Sequence, residues 1–409
     1  MNIDILHTVV NDQLERVLTR DEGITRDIDY AKVRRTKQIT VITGVRRSGK
    51  STLMLQLARQ HKQFYYLNFD DDRLLQFTVE DFGNLMQVFR SMFESEVIAL
   101  DEIQNVPSWE RFVRRIHDEG FKVYLTGSNA KLLSSELATH LTGRYIRIEL
   151  YPFSLMEVFR FRNIDPTVQS TTAKAKIRKT FLDYLEQGGF PEYLKYQDQE
   201  FLKRVYDDII YKDLIVRYGI RNISGFKKLS QYLFTNVTGE ISYNGLKEIL
   251  GFSSVASVRE YISYLSEAYL LFEVYKYDAS LKRQYISNKK GYIIDNGLRN
   301  IVAFRFSPDT GKLLENLVFL NLKKRYEEVF FYKTRQNLEV DFYIPAKKLL
   351  FQVSHDITNE KTKQREIRSL FAAMQELKVK VSFLFTSGEE TVIKDPAGTI
   401  HVVPAWKSE

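Results

Sequence analysis

Apolar positions along the first third of this chain come as short continuous runs separated by stretches with helical spacing. Residues 39–42, 64–69, 96–102, 121–126 and 143–150 read as strands, being short, β-branched or aromatic, and bounded by polar or glycine residues. Between them, residues 52–61, 80–93 and 109–116 read as helices. Trp109, Phe112, Val113 and Ile116 recur at i, i+3, i+4 and i+7, the spacing of one buried helical face. A further helix over residues 4–20 carries Ile5, Val9, Leu14 and Val17 loosely on one side. The segment from Asp21 to Lys37 is polar and leads into the first strand of this series. Such strand–helix alternation predicts a parallel sheet covered on both faces.

From Tyr151 the rhythm turns helical, over residues 171–187, 201–218 and 226–237, with Gly188-Gly189 and Pro191 as a stop and turn. Two short helices follow at 241–250 and 255–268, joined by Gly251-Phe252-Ser253. Ser254 caps the second, and Val255, Val258, Ile262 and Leu265 form its buried stripe. Strands are expected at 271–277 and 284–287. The remainder alternates again: a helix at 312–325, strands near 329–333, 338–344 and 349–354, a helix at 360–377 and a strand at 380–386. The boundaries implied are 1–150, 151–239, 240–300 and 301–409.

The chemistry begins where the first buried strand ends. Gly44-Val45-Arg46-Arg47-Ser48-Gly49-Lys50-Ser51 is a complete G-x-x-x-x-G-K-[ST] phosphate loop, and Thr52 opens the helix behind it. The glycines let backbone N–H groups turn inward around an anionic phosphate chain. Lys50 supplies a point charge, the Ser51 hydroxyl can ligate Mg²⁺, and the helix adds its positive end. The run 96–102 closes on Asp101 and Glu102. At a strand end, Asp101 is expected near the Mg²⁺ held by Ser51, with Glu102 placed to orient or deprotonate the attacking water. The strand ending at Thr126 is followed by Ser128 and Asn129. Ser128 is a candidate for hydrogen bonding to the terminal phosphate or the water, with helix capping as the alternative. Arg144 is a candidate for stabilising transition-state charge, in cis or on a neighbouring subunit, against the ordinary reading of a solvated arginine. No Asn-Lys-x-Asp guanine-reading motif occurs, so ATP is the expected nucleotide.

Taken together, GVRRSGKST, LDEIQ, LTGSNAKLLSSE, LTGRY, YPFSLMEVF, the Gly188–Tyr193 turn and GKLLENLVFLNL at 311–322 resemble the prokaryotic AAA-superfamily ATPases that are similar to archaeal winged-helix ATPases. The resemblance spans nearly the whole chain. It implies a five-stranded parallel core in which the strand ending at Thr126 lies between the phosphate-loop strand and the strand ending at Asp101.

Residues 240–290 look like a winged helix, with a wing around Lys282-Arg283. Arg259, Lys276, Lys282, Arg283, Lys289 and Lys290 are then the candidate contacts to a DNA backbone. Glu260 and Glu267 lie on the same reading helix, and docking to a protein is the alternative. The final region resembles the core of restriction-endonuclease-like domains, whose sites combine a helix glutamate, a strand acid and an acid-x-lysine. The matching residues are Glu315, Asp341, and Gln352 with Ser354, so the second acid and the lysine are replaced. The expected site is degenerate, with Lys361 or Lys363 as the substitutes within reach.

Composition narrows the field further. Hydrophobic residues make up 44% and charged residues 27% of 409, the balance of a soluble globular protein of more than one domain. A net charge of +8 permits an anionic partner without demanding one. The absence of cysteine excludes disulfides, thiolate metal sites and a cysteine nucleophile. No signal-peptide core or membrane-length apolar run is present, so a cytoplasmic location is expected. The expectation is an α/β ATPase using ATP and Mg²⁺, with a helical lid or connector, a winged helix and an inactive nuclease-like end. Its partners are DNA or another protein, and an oligomer fits the sequence without being required by it. The alternatives are an ATP-dependent nuclease and a nucleotide-sensing switch that contacts only proteins.

Overall fold

The computed structural model describes residues 1–127, 141, 143–304 and 309–408. The chain divides into two compact units, Met1–Pro152 and Phe153–Glu409. The elements of the first are α1 (Ile3–Thr19), α2 (Tyr30–Arg35), β1 (Ile39–Gly44), α3 (Lys50–Ala58), β2 (Tyr65–Asn68), α4 (Phe82–Met92), β3 (Val97–Asp101), α5 (Trp109–Asp118), β4 (Lys122–Thr126) and β5 (Tyr145–Leu150).

The five strands pair in parallel in the order β2-β3-β4-β1-β5. β4 therefore lies between the phosphate-loop strand β1 and β3, as the family resemblance implies. Every residue of β1 and of β3 is buried, because the sheet is covered on both faces. Leu67, Ile98 and Leu125 pack with Val9 of α1, Phe89 of α4 and Val113 of α5. Ile42, Ala99 and Tyr124 pack on the other face with Leu53 and Leu57 of α3. That two-sided cover is why the strands read as unbroken apolar runs rather than as alternating ones.

Two local expectations shift. The buried face of α1 is Leu6, Val9, Val10, Gln13 and Val17, one position round from the expected stripe, and Ile5 is half exposed at 50%. Gln13 belongs to that face because it bonds the end of β2, accepting from Asn68 N at 2.7 Å and donating to the Asn68 carbonyl at 3.1 Å. The polar segment before β1 also contains α2, capped by Asp29, which accepts from Lys32 N at 2.9 Å.

The second unit opens with helices α6 (Leu155–Phe161), α7 (Thr171–Gln187), α8 (Pro191–Tyr196), α9 (Gln199–Asp208, continuing as a wider helix over Ile209–Val216) and α10 (Ile223–Thr235). There follow β6 (Glu240–Ile241), α11 (Tyr243–Leu250), α12 (Val255–Glu267), β7 (Leu271–Lys276), α13 (Leu281–Ile286), β8 (Lys289–Ile293) and α14 (Asn296–Val302). The rest is α15 (Thr310–Arg325), β9 (Phe330–Lys333), β10 (Glu339–Ile344), β11 (Leu349–Val353), α16 (Glu360–Leu377), β12 (Val381–Thr386), β13 (Thr391–Asp395) and β14 (Gly398–Pro404). A nine-stranded mixed sheet in the order β13-β14-β12-β11-β10-β9-β7-β8-β6 runs through this part of the unit. The joint is the parallel pairing of β7 with β9.

The expected strand at 284–287 is absent. Its place is taken by α13, and the strand that pairs antiparallel with β7 is β8. Leu281, Lys282, Arg283, Gln284, Tyr285 and Ile286 carry no buried residue between them. With no sheet face to bury, the segment closes backbone hydrogen bonds within itself, Gln284 N to the Ser280 carbonyl at 3.0 Å and Ser287 N to the Arg283 carbonyl at 3.1 Å.

One backbone position holds the first unit's sheet and loop together. Gly44 ends β1 at φ +143°, and a Cβ there would stand 2.0 Å from the Leu150 carbonyl oxygen of β5. Gly44→Ala combines that clash with left-side backbone strain and is expected to cost about 2 kcal/mol or more. Trp109 lies in the first unit and Trp406 in the second. In a Trp406→Phe background, Trp109 fluorescence during denaturation reports the first unit alone, and an unshifted midpoint for Gly44→Ala would refute the clash.

Candidate functional site

The phosphate loop, Asp101 and Glu102 lie at the carboxyl end of the parallel sheet. The loop leaves β1 and turns into α3 through Gly49 at φ +95° and Arg47 at φ +65°. Lys50 is buried, and its ammonium donates to the carbonyls of Gly44 at 3.2 Å and Val45 at 3.1 Å. It thus spans the mouth of the loop. Arg26 braces the loop from behind: one guanidinium nitrogen donates to the Ser48 carbonyl at 2.9 Å, another to the Tyr151 carbonyl at 2.7 Å.

Asp101, the last residue of β3, is buried. One of its oxygens accepts from the Thr126 hydroxyl, the other from the Tyr66 hydroxyl at 3.2 Å. The same Thr126 oxygen accepts from Glu102 N at 3.0 Å. Glu102 takes a left-handed conformation, φ 52° and ψ 41°, and its carboxylate accepts from the Gln104 amide. Burial pushes the Glu102 carboxyl above the ordinary glutamate range, with Lys50 opposing that shift and Asp101 adding to it. Burial, reinforced by the Asp101 charge, likewise keeps the Tyr66 phenol protonated far into the alkaline range.

The donor set suits Mg²⁺. Ser51 offers a hydroxyl and Asp101 a carboxylate, both hard oxygen ligands, and Tyr66 and Thr126 fix the carboxylate's orientation. Among the described residues, no group of His, Cys, Asp and Glu forms a metal cage by itself.

Of the remaining candidates in this unit, Ser128 lies outside the described residues. Arg144 does not join the site. It precedes β5, so it stands at the amino end of the sheet, opposite the phosphate loop, where its guanidinium nitrogen Nε pairs with Asp118 at 3.4 Å. Tyr66, Thr126 and Arg26 have roles that the sequence did not single out. Only Thr126 left a trace there, as a polar residue closing an apolar strand.

In the second unit the nuclease-like candidates do converge, but around a cation of the protein's own. Lys290 of β8 is buried, and its ammonium lies 2.7 Å from Glu339, 3.1 Å from Glu315 and 3.4 Å from Asp341. The Tyr292 hydroxyl also donates to Glu315, at 2.8 Å. Asp341 accepts from Val353 N at 2.9 Å, and Asp341 N donates to Gln352 Oε1 at 3.1 Å. The Gln352 amide then donates to Glu366 at 2.7 Å. Burial works against the charge on Lys290, but Asp341, Glu315 and Glu339 outweigh it and raise the ammonium well above the ordinary lysine range.

Two of the expected DNA contacts are thereby corrected. Lys289 and Lys290 are only 8% and 4% exposed, turned inward by the pairing of β8 with β6 and β7. Lys289 pairs with Glu273 at 3.6 Å. Among the described residues no ion pair ties Lys361 or Lys363 of α16 to the cluster, whose cation is Lys290. Ser354 takes no part in the cluster; its hydroxyl donates to the Asp356 carbonyl at 3.3 Å. Arg259 lies over the Tyr243 ring at 5.3 Å, Arg283 pairs with Asp278 at 3.0 Å, and Lys282 is exposed.

Sheet order, loop and acidic strand end define an AAA-type P-loop ATPase domain, and family matching agrees. The AAA domain family matches residues 36–159, and domains of unknown function match 178–309 (DUF8612) and 310–407 (DUF4143). The uncharacterized protein MJ1544 of Methanocaldococcus jannaschii is 36% identical over 98% of this chain and 94% of its own length. An uncharacterized protein of Haemophilus influenzae is 31% identical over 79% of this chain and 84% of its own. The chain belongs to the same family as these two relatives, and its residues 36–159 match the AAA domain. Among solved structures, the RuvB Holliday junction branch migration motor of Thermotoga maritima aligns at 15% identity and a TM-score of 0.29, over 66% of this chain and 93% of that one. At that score the likeness carries no argument of its own. Among the described residues, no helix is long and apolar enough to cross a membrane.

Lys290→Met tests the cluster in the second unit. It would leave Glu315, Glu339 and Asp341 without their common counter-charge, at an expected cost of about 3–5 kcal/mol. Trp406 fluorescence in a Trp109→Phe background reads that transition. A midpoint within error of the parent would show that the ammonium does not hold the cluster together.

Proposed function

We propose that the first unit binds ATP with Mg²⁺ and hydrolyses it, and that the cycle repositions the C-terminal elements on DNA or a protein partner. The observation that carries this reading is the pair of acids joined through Thr126, presented at the same sheet end as Lys50 and Ser51. Lys50 and the loop N–H groups meet the phosphate chain, while Ser51 and Asp101 would hold the metal. Mg²⁺ there would supply positive charge against the negative charge that develops in the transition state. Glu102 orients the water that attacks the terminal phosphorus and takes its proton as ADP leaves. A carboxyl raised toward neutrality by burial suits a general base.

Lys50→Ala should weaken ATP binding ten- to a hundred-fold, the scale of one lost charge-assisted contact. Glu102→Gln should bind ATP normally and lose about a hundredfold or more in turnover, since the loop and metal ligands remain. Parent-like hydrolysis by Glu102→Gln would remove that residue from the water-orienting role.

For the second unit we favour a winged helix as the DNA-facing element. The order α10, β6, α11, α12, β7, β8 with antiparallel β6-β8-β7 pairing supports it, and α13 occupies the wing. Arg259, Lys276, Lys282 and Arg283 are the contacts that remain. One observation favours the protein-docking alternative: Leu281, Tyr285 and Ile286 of α13 are 66%, 68% and 72% exposed. The nuclease-like end we read as inactive, because Lys290 fills the place among the carboxylates that a catalytic metal needs. Replacing Lys282 and Arg283 with alanine should weaken DNA binding and flatten its salt dependence by a slope of about one per lost phosphate contact. An unchanged slope favours the protein partner, and cleavage of supercoiled DNA in Mg²⁺ that Asp341→Ala abolishes would restore the nuclease.

A further inference from the structure

Between the end of α1 and the end of β2 lies a cleft of about 500 Å³ that no residue of the phosphate loop lines. Its walls include Arg16, Arg20, Tyr66, Asn68, Asp70 and Arg73. Its arginines differ in what they already hold. Arg73 is committed, with two nitrogens on Asp71, each at 2.9 Å, and a third on Asp12 at 2.7 Å. Gln13 fixes Asp71 in turn, at 2.9 Å. Arg16 and Arg20 form no ion pair among the described residues, although Asp70 and Asp72 border the same cleft.

Arg20 is placed rather than loose. Its carbonyl accepts from the Arg59 guanidinium at 2.8 Å, which pins the backbone where α1 ends. Its own guanidinium reaches to 3.5 Å from the Thr52 hydroxyl, in the first turn of α3. Its charge is also felt by Tyr66, the residue whose hydroxyl is bonded to Asp101. Arg20 therefore stands between the residue that follows Ser51 and the tyrosine that orients Asp101. An uncompensated guanidinium at the positive end of a helix adds like charge to like, which favours an anion that can answer both.

We propose that Arg20, backed by Arg16, is a second cationic arm of the phosphate site and contacts the phosphate chain of a bound Mg-nucleoside triphosphate. The proposal rests on the nucleotide reading of the loop. Within one chain it offers Arg20, the residue that ends α1, where Arg144 stands at the opposite end of the sheet. The planar fork suits phosphate oxygens, and the cleft leaves room for the side chain to swing onto them.

The test compares Mg-ATP binding and steady-state hydrolysis for the full-length parent, Arg20→Ala, Arg20→Lys and Lys50→Ala, with thermal midpoints measured alongside. The expected result is a loss of at least tenfold in Mg-ATP affinity for Arg20→Ala at an unchanged midpoint. Arg20→Lys should recover part of that loss, and raised salt should narrow the gap between parent and Arg20→Ala. Should Arg20→Ala fold poorly, Arg20→Gln keeps the stem and polar head without the charge, and the same tenfold loss is expected of it. Parent-like affinity and KM in the folded neutral variant, with Lys50→Ala defective, would overturn the proposal and leave the nucleotide reading standing. A parent that binds no Mg-ATP would overturn both.

Discussion

The Thr126 hydroxyl, at the end of the strand between β1 and β3, is the contact on which the first unit's chemistry depends. It donates to Asp101 and accepts from the Glu102 amide. In an extended strand successive side chains leave on opposite faces, so a regular residue after Asp101 would send the Glu102 side chain to the face opposite that of Asp101. The left-handed conformation of Glu102 breaks that alternation. For a non-glycine residue such a conformation costs about 1–2 kcal/mol. The bond from its amide to Thr126 helps offset that cost and fixes the turn at the same point. One side chain on β4 thus orients an acid, redirects its neighbour, and couples both to the strand beside the phosphate loop.

The second unit uses the opposite device. Three carboxylates meet around Lys290. Lone carboxylates in such a place would be driven toward their protonated forms, and a lone ammonium toward its neutral one. Burial, reinforced by the Glu315 charge, pushes the Asp341 carboxyl well above the ordinary aspartate range, with Lys290 opposing that shift, while the Tyr292 hydroxyl donates to Glu315 and Val353 N to Asp341. Replacement of an acid by Gln352 fits this arrangement. A further carboxylate there would add a negative charge to a site whose cation bears a single positive one, and glutamine instead links Asp341 to Glu366 through its two different ends.

The sequence carried the α/β core because its signals are local. A glycine-lysine loop after a β-branched run, and an apolar run ending in two acids, each state their element and their end of it. The matching helices at 171–187 and 360–377 coincide with α7 and α16 for the same reason. What it could not carry were facts of register and orientation. Lys282 and Lys290 are indistinguishable as letters, yet one is exposed on a short helix and the other is buried among acids, because β8 lies between two strands. Arg144 shows a similar limit: the letters do not state that it precedes a strand parallel to β1, which puts it, within this chain, at the sheet end opposite the phosphate loop.

These cases share a physical rule about where charge can act in a parallel sheet. The strands run one way, so residues that follow them gather at one end, while residues that precede them gather some strand lengths away. Asp101, Glu102 and Gly127 follow their strands, whereas Arg144 precedes its own. A strand of five or six residues separates the two ends by about 15–20 Å, beyond the Debye length of about 8–10 Å at physiological salt. A cation that serves the phosphate chain from within this chain must therefore come from a segment that reaches the carboxyl end by another route. The N-terminal helix does so. α1 packs along the sheet and delivers its last turn beside β2 and α3, held there by Gln13 on Asn68 and by Arg59 on the Val17 and Arg20 carbonyls.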